Sequence, residues 1–296
     1  MRWSASCRGT GYPTNAIIES VSDGPPGQRL VGFSLDPRQQ LAPAEELRLV
    51  RLGAELGYQS AWTPAGPDPT AFETCIRWFK ATKLRTGIAV VPASGQPAAF
   101  YAEHARRVWD ETNGTFVLGV GSGGMEHPVE AVRRYIGELR TLLAPGQPIY
   151  VAALGPRMLQ LAGEIADGVA LNWCTPEQLA WSRSQVEEAA RQAGRKPAPL
   201  VEYIRTSVDA DPDLADRTLE SAAHVYSKGR PPYRRHFERM GLPEGSVGAS
   251  GRPGEVRQQF EHLAQGLDEA IVRVLVTRPG DAESAERTLR ECAPRR

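Results

Sequence analysis

PIYVAALGPRMLQLAGEIADGVALNWCTPE, from Pro148 to Glu177, reads as strand, tight turn, helix, strand and the start of a second helix. The first strand is Ile149 to Ala153, apolar and β-branched at Ile149 and Val151. Gly155-Pro156 ends it, and Pro156 suits the first turn of a helix, where its missing N–H has no partner to lose. Met158, Leu159, Ala162 and Ile165 then recur at helical spacing. Asp167-Gly168 stops that helix, and Val169 to Trp173 is the next apolar strand. Thr175-Pro176-Glu177-Gln178 is a capping box, with a Thr N-cap, Pro at the first helical position and Gln at the third. The result is a βαβα unit with very short connections. Its first helix aims free backbone N–H groups at the end of the first strand, where an anionic ligand can sit.

The same unit recurs in both directions. Leu30 to Leu35 is a strand, Ala44 to Leu56 a helix with Leu49, Leu52 and Leu56 on one face, and Ser60 to Thr63 a short strand. Asp68-Pro69 opens a helix carrying Phe72, Ile76 and Phe79. Thr86 to Val91 is the third strand, and the helix from Pro97 bears Tyr101, Ala105 and Val108. Phe116 to Val120 is the fourth, followed after Pro128 by a helix with Val129, Val132, Ile136, Leu139 and Leu143. Downstream, Leu200 to Val208 is the seventh strand with one long helical stretch after it. A helix near Glu255 carries Val256, Phe260 and Leu263; Ile271 to Val276 is the eighth strand, and Ala282 to Cys292 the last helix. Eight strands alternating with helices predict a single-domain (β/α)8 TIM barrel.

Length and composition agree. The 296 residues suit one barrel of about 250 with some extension. Lys plus Arg and Asp plus Glu both total 35, so no net field favours nucleic acid or a membrane surface. No apolar run reaches the roughly 18 residues of a membrane span. Residues 1–28 are rich in Gly, Pro and Ser and lack the apolar centre of a signal peptide, so a disordered extension is expected there, with the barrel over 29–296. Cys7, Cys75, Cys174 and Cys292 are widely spaced with no CxxC pair, which fits reduced thiols in the cytoplasm; no metal site is expected.

In such a barrel the chemistry sits where strands end. The residues there are Asp36-Pro37, then Pro64-Ala65-Gly66, then Gly87-Ile88 within the third strand. Gly121-Ser122-Gly123-Gly124 follows the fourth, with Met125, Glu126 and His127 after it. The fifth ends in Ala152-Ala153-Leu154-Gly155, the sixth in Asn172-Trp173-Cys174 and the eighth in Thr277-Arg278. Gly119 to Gly124 also fits GxGxxG, but a dinucleotide site needs that loop early in an open sheet with an acidic residue some 20 positions on. In a barrel the same glycines let backbone approach a cofactor ring. Glu126 and His127 stand where a proton donor is needed, although a solvated helix start accounts for both residue types. Trp173 and Cys174 read as packing residues. Arg157 serves either a phosphate or solvent. HExxH, GxSxG and Walker A patterns do not occur.

These stretches resemble a known family. PIYVAALGPRMLQLAGEIADGVALNW followed by TPE is similar to the bacterial luciferase-like superfamily, in its branch of coenzyme F420-dependent oxidoreductases. LVGFSLDP with AELGYQSAW, LRTGIAVVP with Pro97, and NGTFVLGVGSG resemble the family's first four strands. The resemblance implies a flavin or deazaflavin bound at the strand ends, with Gly121, Ser122 and Asn172 near it. It implies a non-prolyl cis peptide at Gly87-Ile88 as a bulge against the ring. It also implies a cofactor phosphate held by the turn after the fifth strand and the helix start that follows, matching Ala152, Ala153, Gly155 and Pro156; Leu154 and Arg157 in the same stretch are further cofactor-binding candidates. Arg230, Arg234, Arg235 and Arg239 form either a solvated face or a reach toward the acidic tail of a deazaflavin. The chain departs from the family at Ala65 and Gly66, where many members carry an acidic residue and a His, and at Gly124, where the sugar dehydrogenases carry Glu. The segment from Gly121 to Pro148 is also short for the family.

The expected protein is therefore an F420-dependent oxidoreductase that moves a hydride to or from a small organic substrate, with His127 first and Glu126 second as proton donor. The alternatives are an FMN-dependent monooxygenase and a non-catalytic cofactor-binding barrel. A homodimer is usual for the family.

Overall fold

The computed structural model describes residues 29–242 and 247–295; the expected extension at 1–28 lies outside them. The strands are β1 (Leu30–Ser34), β2 (Ser60–Thr63), β3 (Arg85–Pro92), β4 (Val117–Gly121), β5 (Ile149–Ala152), β6 (Gly168–Asn172), β7 (Leu200–Val208), β8 (Ala249–Gly251) and β9 (Glu269–Val274). β1 to β7 follow one another around a parallel ring, and β9 closes it by pairing with both β7 and β1. β8 stands outside the ring and pairs only with the end of β7. The sequence contains no signal for β8, a three-residue strand whose glycine and serine lack strand propensity.

The helices are α1 (Pro43–Glu55), α2 (Thr70–Thr82), α3 (Ala98–Glu111), α4 (Pro128–Leu142), α5 (Pro156–Ile165), α6 (Pro176–Gln192), α7 (Pro212–Gly229), α8 (Pro231–Met240), α9 (Val256–Leu263) and α10 (Ala282–Glu291). Their starts follow local chemistry. Pro43, Pro128, Pro156 and Pro176 occupy first turns. The Thr175 side chain accepts from the Gln178 N–H, as the capping box requires. The long helical stretch expected after β7 is broken in two. Pro231 and Pro232 cannot continue α7, and Arg230 before them turns extended at φ −141° and ψ 101°.

Strand alternation sorts the side chains. Outward residues such as Phe33, Ile88, Leu118, Val151 and Val169 join buried helix residues, including Leu49, Trp78, Ile136 and Leu159, in the main core. Inward, Trp62, Val117, Tyr150, Ala170, Val201, Tyr203 and Ile271 fill the barrel, with Ala89 and Val90 against them. Its amino-terminal end is shut by a polar knot. Buried Glu269 accepts from Ser60 Oγ, from Trp62 Nε1 at 2.8 Å and from the Arg85 guanidinium.

The bulge of the third strand is not where the sequence puts it. The cis bond is Ala89–Val90, and the β3–β4 register shifts between Ile88 and Val91. Gly87 and Ile88 remain in regular register with Val117 and Leu118. Gly87 has a different cause: a Cβ there would lie 2.4 Å from the Trp62 ring. The bulge is accommodated from β4, where a Cβ on Gly119 would lie 2.4 Å from the Ile88 carbonyl oxygen and 2.9 Å from Val90. Among the described residues, no helix is long and apolar enough to cross a membrane.

Candidate functional site

Two groups of residues gather at the carboxyl ends of the strands. The first lies over the barrel axis. Inward positions of β1, β6, β7 and β9 bring Ser34, Asn172, Arg205 and Arg273 there, and Asp36 follows β1. Arg273 donates to Ser34 Oγ at 2.8 Å and forms a buried ion pair with Asp36, which also receives Arg38 at 2.7 Å. Burial by itself would raise the Asp36 carboxyl, but Arg273 and Arg38 outweigh it and hold that carboxyl below its ordinary value.

Arg205 donates to Asn172 Oδ1, and the Asn172 amide donates to Tyr233 Oη at 2.7 Å. The Arg205 guanidinium lies 4.0 Å from the Trp173 ring and 4.8 Å from the Tyr226 ring. α7 and α8 carry Tyr226 and Tyr233, so this helical pair covers that side of the strand ends. Burial would raise the Tyr226 phenol, but Arg205, Arg273 and Arg38 together bring it below its usual value. Trp173 adopts φ +59°, a left-handed backbone that a bulky residue takes only when its surroundings impose it. Here Arg205, Tyr226 and Phe237 enclose its ring. It packs, as the sequence implies.

The second group lies at the start of α5. A cavity of about 370 Å³ is bordered by His127, Glu130, Gly155, Arg157, Arg235 and Arg239. Gly155 is extended at φ −110°, and a Cβ on it would meet nothing within 4 Å. The first N–H groups of α5 and three guanidinium groups give this cavity a positive wall. Arg239 donates to the Leu154 carbonyl at 2.7 Å and to His236 Nδ1 at 3.2 Å. A guanidinium only donates, so Nδ1 accepts and Nε2–H donates to the Trp173 carbonyl at 2.9 Å. Burial lowers His236 to about 4, which keeps that ring neutral near pH 7. α8 thereby ties the turn after β5 to the turn after β6.

The residues expected from sequence divide accordingly. His127, Gly155, Pro156 and Arg157 come together at the cavity. Glu126 and Ser122 belong to the β4–α4 turn nearby, Glu126 exposed. His127 is exposed and sits at φ +47° as the residue before α4. Gly121 faces Val90, and Ala152 is close to it. Ala153, just past the end of β5, is buried in the outer core. Arg157 is exposed and reaches Glu130 at 3.4 Å. Asn172 belongs to the axial group. Of the arginine run, Arg235 and Arg239 border the cavity, Arg230 stacks on Tyr226 at 5.1 Å and Arg234 faces Glu238 at 3.9 Å.

Sequence reasoning missed Arg205, Arg273, Tyr226 and Tyr233. For the two arginines a signal existed: each is a charge at an inward register position of an apolar strand, in LVEYIRTSV and EAIVRV. For the tyrosines none existed, because only the tertiary course of α7 and α8 brings them over the strands.

The sequence profile described as luciferase-like monooxygenase matches residues 128–291. A 5,10-methylenetetrahydromethanopterin reductase of Archaeoglobus fulgidus is 31% identical over 236 residues, covering 68% of this chain and 70% of that one. The structure of a coenzyme F420-dependent tetrahydromethanopterin reductase from Methanopyrus kandleri superposes with a TM-score of 0.68 at 18% identity, over 89% of this chain and 98% of that one. Monooxygenase RslO1 from Streptomyces bottropensis superposes with a TM-score of 0.66 at 20% identity, over 89% and 97%. Structures this distant in sequence share the fold with both reductases and monooxygenases.

Proposed function

The chain belongs to the luciferase-like family, and from that premise we propose that it is a coenzyme F420-dependent oxidoreductase moving a hydride to or from a small organic substrate. The likeness at 31% identity to a reductase favours the deazaflavin over FMN, and so does the F420-dependent reductase among its structural likenesses. The residues present fit such a group. The partly exposed Ala89 and Val90 of the bulge, packed into the room left by Gly119 and Gly121, present small side chains suited to a flat ring. The open face of Gly155 beside Arg157, Arg235 and Arg239 suits an anionic side chain. The deazaflavin supplies or receives the hydride; the protein orients it and handles the proton.

The observation that carries the phosphate assignment is the empty space above Gly155. Its φ is one that any residue adopts, and nothing crowds it, so Gly155→Leu folds normally and fills only the volume a ligand needs. The expected result is an unchanged melting temperature with cofactor affinity weakened by more than about tenfold, read by calorimetric titration with F420. Unchanged affinity moves the phosphate elsewhere, to the loops after the last strands that many barrels use.

His127 borders the same cavity and is assigned as the proton donor, with Glu126 beside it as second candidate. An imidazole can carry and give up a proton. His127→Gln is expected to lower kcat by about 10²-fold, the lower end for a lost general acid, with the F420 Kd within threefold of the parent. A raised Kd with kcat intact makes His127 a phosphate contact instead. Rates within threefold for both His127→Gln and Glu126→Gln assign the proton to water.

A further inference from the structure

The two arginines over the barrel axis differ in one respect that bears on the substrate. Arg273 has its counter-ion in Asp36. Arg205 is equally buried, 4% exposed, and among the described residues no carboxylate forms an ion pair with it. Its contacts are neutral: Asn172 Oδ1, the Tyr203 carbonyl at 3.3 Å, and the faces of Trp173 and Tyr226. Glu202, also on β7, points to the other side of the sheet, where its Oε1 accepts the Cys174 N–H at 2.7 Å. Burial pushes that carboxyl up to about 8, so it carries little charge near neutral pH. A guanidinium withdrawn from water without an anion is costly, and a fold that keeps one at its ligand-binding end has a reason beyond stability. The planar fork of Arg suits a carboxylate in particular.

We propose that Arg205, with the Tyr226 hydroxyl beside it, anchors an anionic oxygen pair of the substrate, a carboxylate or an enolate-like group. This deepens the proposed function by naming the substrate class. The cavity at Gly155 has its own arginines for a cofactor phosphate, so the axial site is left for the second ligand. Asn172, itself held by Tyr233, and the Trp173 and Tyr226 rings fix the orientation of the guanidinium. The shared chemistry has two sources, a substrate carboxylate or a carboxylate of the deazaflavin tail, and the test separates them.

Acetate and benzoate, each with its uncharged amide, are titrated into the full-length parent, Arg205→Gln, Arg205→Lys and Tyr226→Phe, and F420 is titrated separately. Both carboxylates are expected to bind the parent, at least about tenfold more weakly to Arg205→Gln, with part of the loss regained in Arg205→Lys and neither amide binding. The F420 affinity of Arg205→Gln should stay within threefold of the parent. No carboxylate binding to the parent, or equal binding to parent and Arg205→Gln, overturns the site. A tenfold loss of F420 affinity in Arg205→Gln gives the anion to the cofactor and overturns the substrate assignment. If Arg205→Gln does not fold, Arg205→Lys and Tyr226→Phe decide, each expected to bind carboxylate more weakly than the parent and overturning the site if it does not. The carboxylate titrations need neither deazaflavin nor turnover, so they stand if the cofactor assignment fails.

Discussion

Asp36→Asn is expected to destabilise the protein by about 3–5 kcal/mol near pH 7, the usual result of removing one partner of a buried ion pair. Asp36 is the acidic partner of both Arg273 and Arg38, and Arg273 is 4% exposed. The asparagine keeps the shape but leaves the buried Arg273 charge without a counter-ion, with the neutral Ser34 Oγ and the Tyr203 ring beside it. At about 2 °C per kcal/mol for a chain of this size, the melting temperature should fall by roughly 6–10 °C. The effect has a pH signature. In the fold the Asp36 carboxyl lies below its ordinary value of 3.8, so its contribution is complete above that pH. It is lost as pH falls through the lower folded value. Parent and variant should therefore converge in acid. Urea melts giving the same difference at pH 7 and pH 3 contradict the assignment.

Glu202→Gln should do the opposite. Burial raises this carboxyl from 4.5 to about 8 in the folded chain. Between those values the native state holds a proton that the unfolded state has released, so raising the pH favours unfolding. At about 1.4 kcal/mol per unit, the parent should lose roughly 4 kcal/mol between pH 4.5 and pH 8 from this residue alone. Gln retains an oxygen for the Cys174 N–H, stays neutral and escapes that loss. The variant is expected to match the parent below pH 4.5 and to exceed it by several kcal/mol at pH 8. Parallel stability curves for the two proteins across this range would falsify the assignment.

The fold was readable because its signals are local. Thr175 caps α6 through the bond that its spacing to Gln178 predicts, and Gly155-Pro156 turns β5 into α5 where those two residues stand. The strand ends fall within one or two residues of the apolar runs, the widest drift being at β9, which begins at Glu269 because its first inward side chain is that buried carboxylate. The bulge was misplaced because two glycine requirements look alike in sequence. Gly87 clears the Trp62 ring, whereas the room for the bulge comes from Gly119 on the neighbouring strand. The rim cavity was partly legible, since a helix start after a short turn offers N–H groups wherever it occurs. The axial cluster was not, because Tyr226 and Tyr233 reach Arg205 and Asn172 across the chain, from helices whose own periodicity says nothing about what they cover.

The Glu269 knot makes the barrel a cul-de-sac. With Ser60, Trp62 and Arg85 filling the far end, only the carboxyl ends of the strands are left for a ligand to approach. If the proposed cofactor and substrate both bind at that end, whichever rests deeper, against the Ala89–Val90 bulge, boards first and departs last. The shallower partner then acts as a stopper as well as a reactant. Exchange of the inner ligand should slow as the outer one accumulates, an ordered traffic pattern imposed by architecture rather than by any difference in affinity.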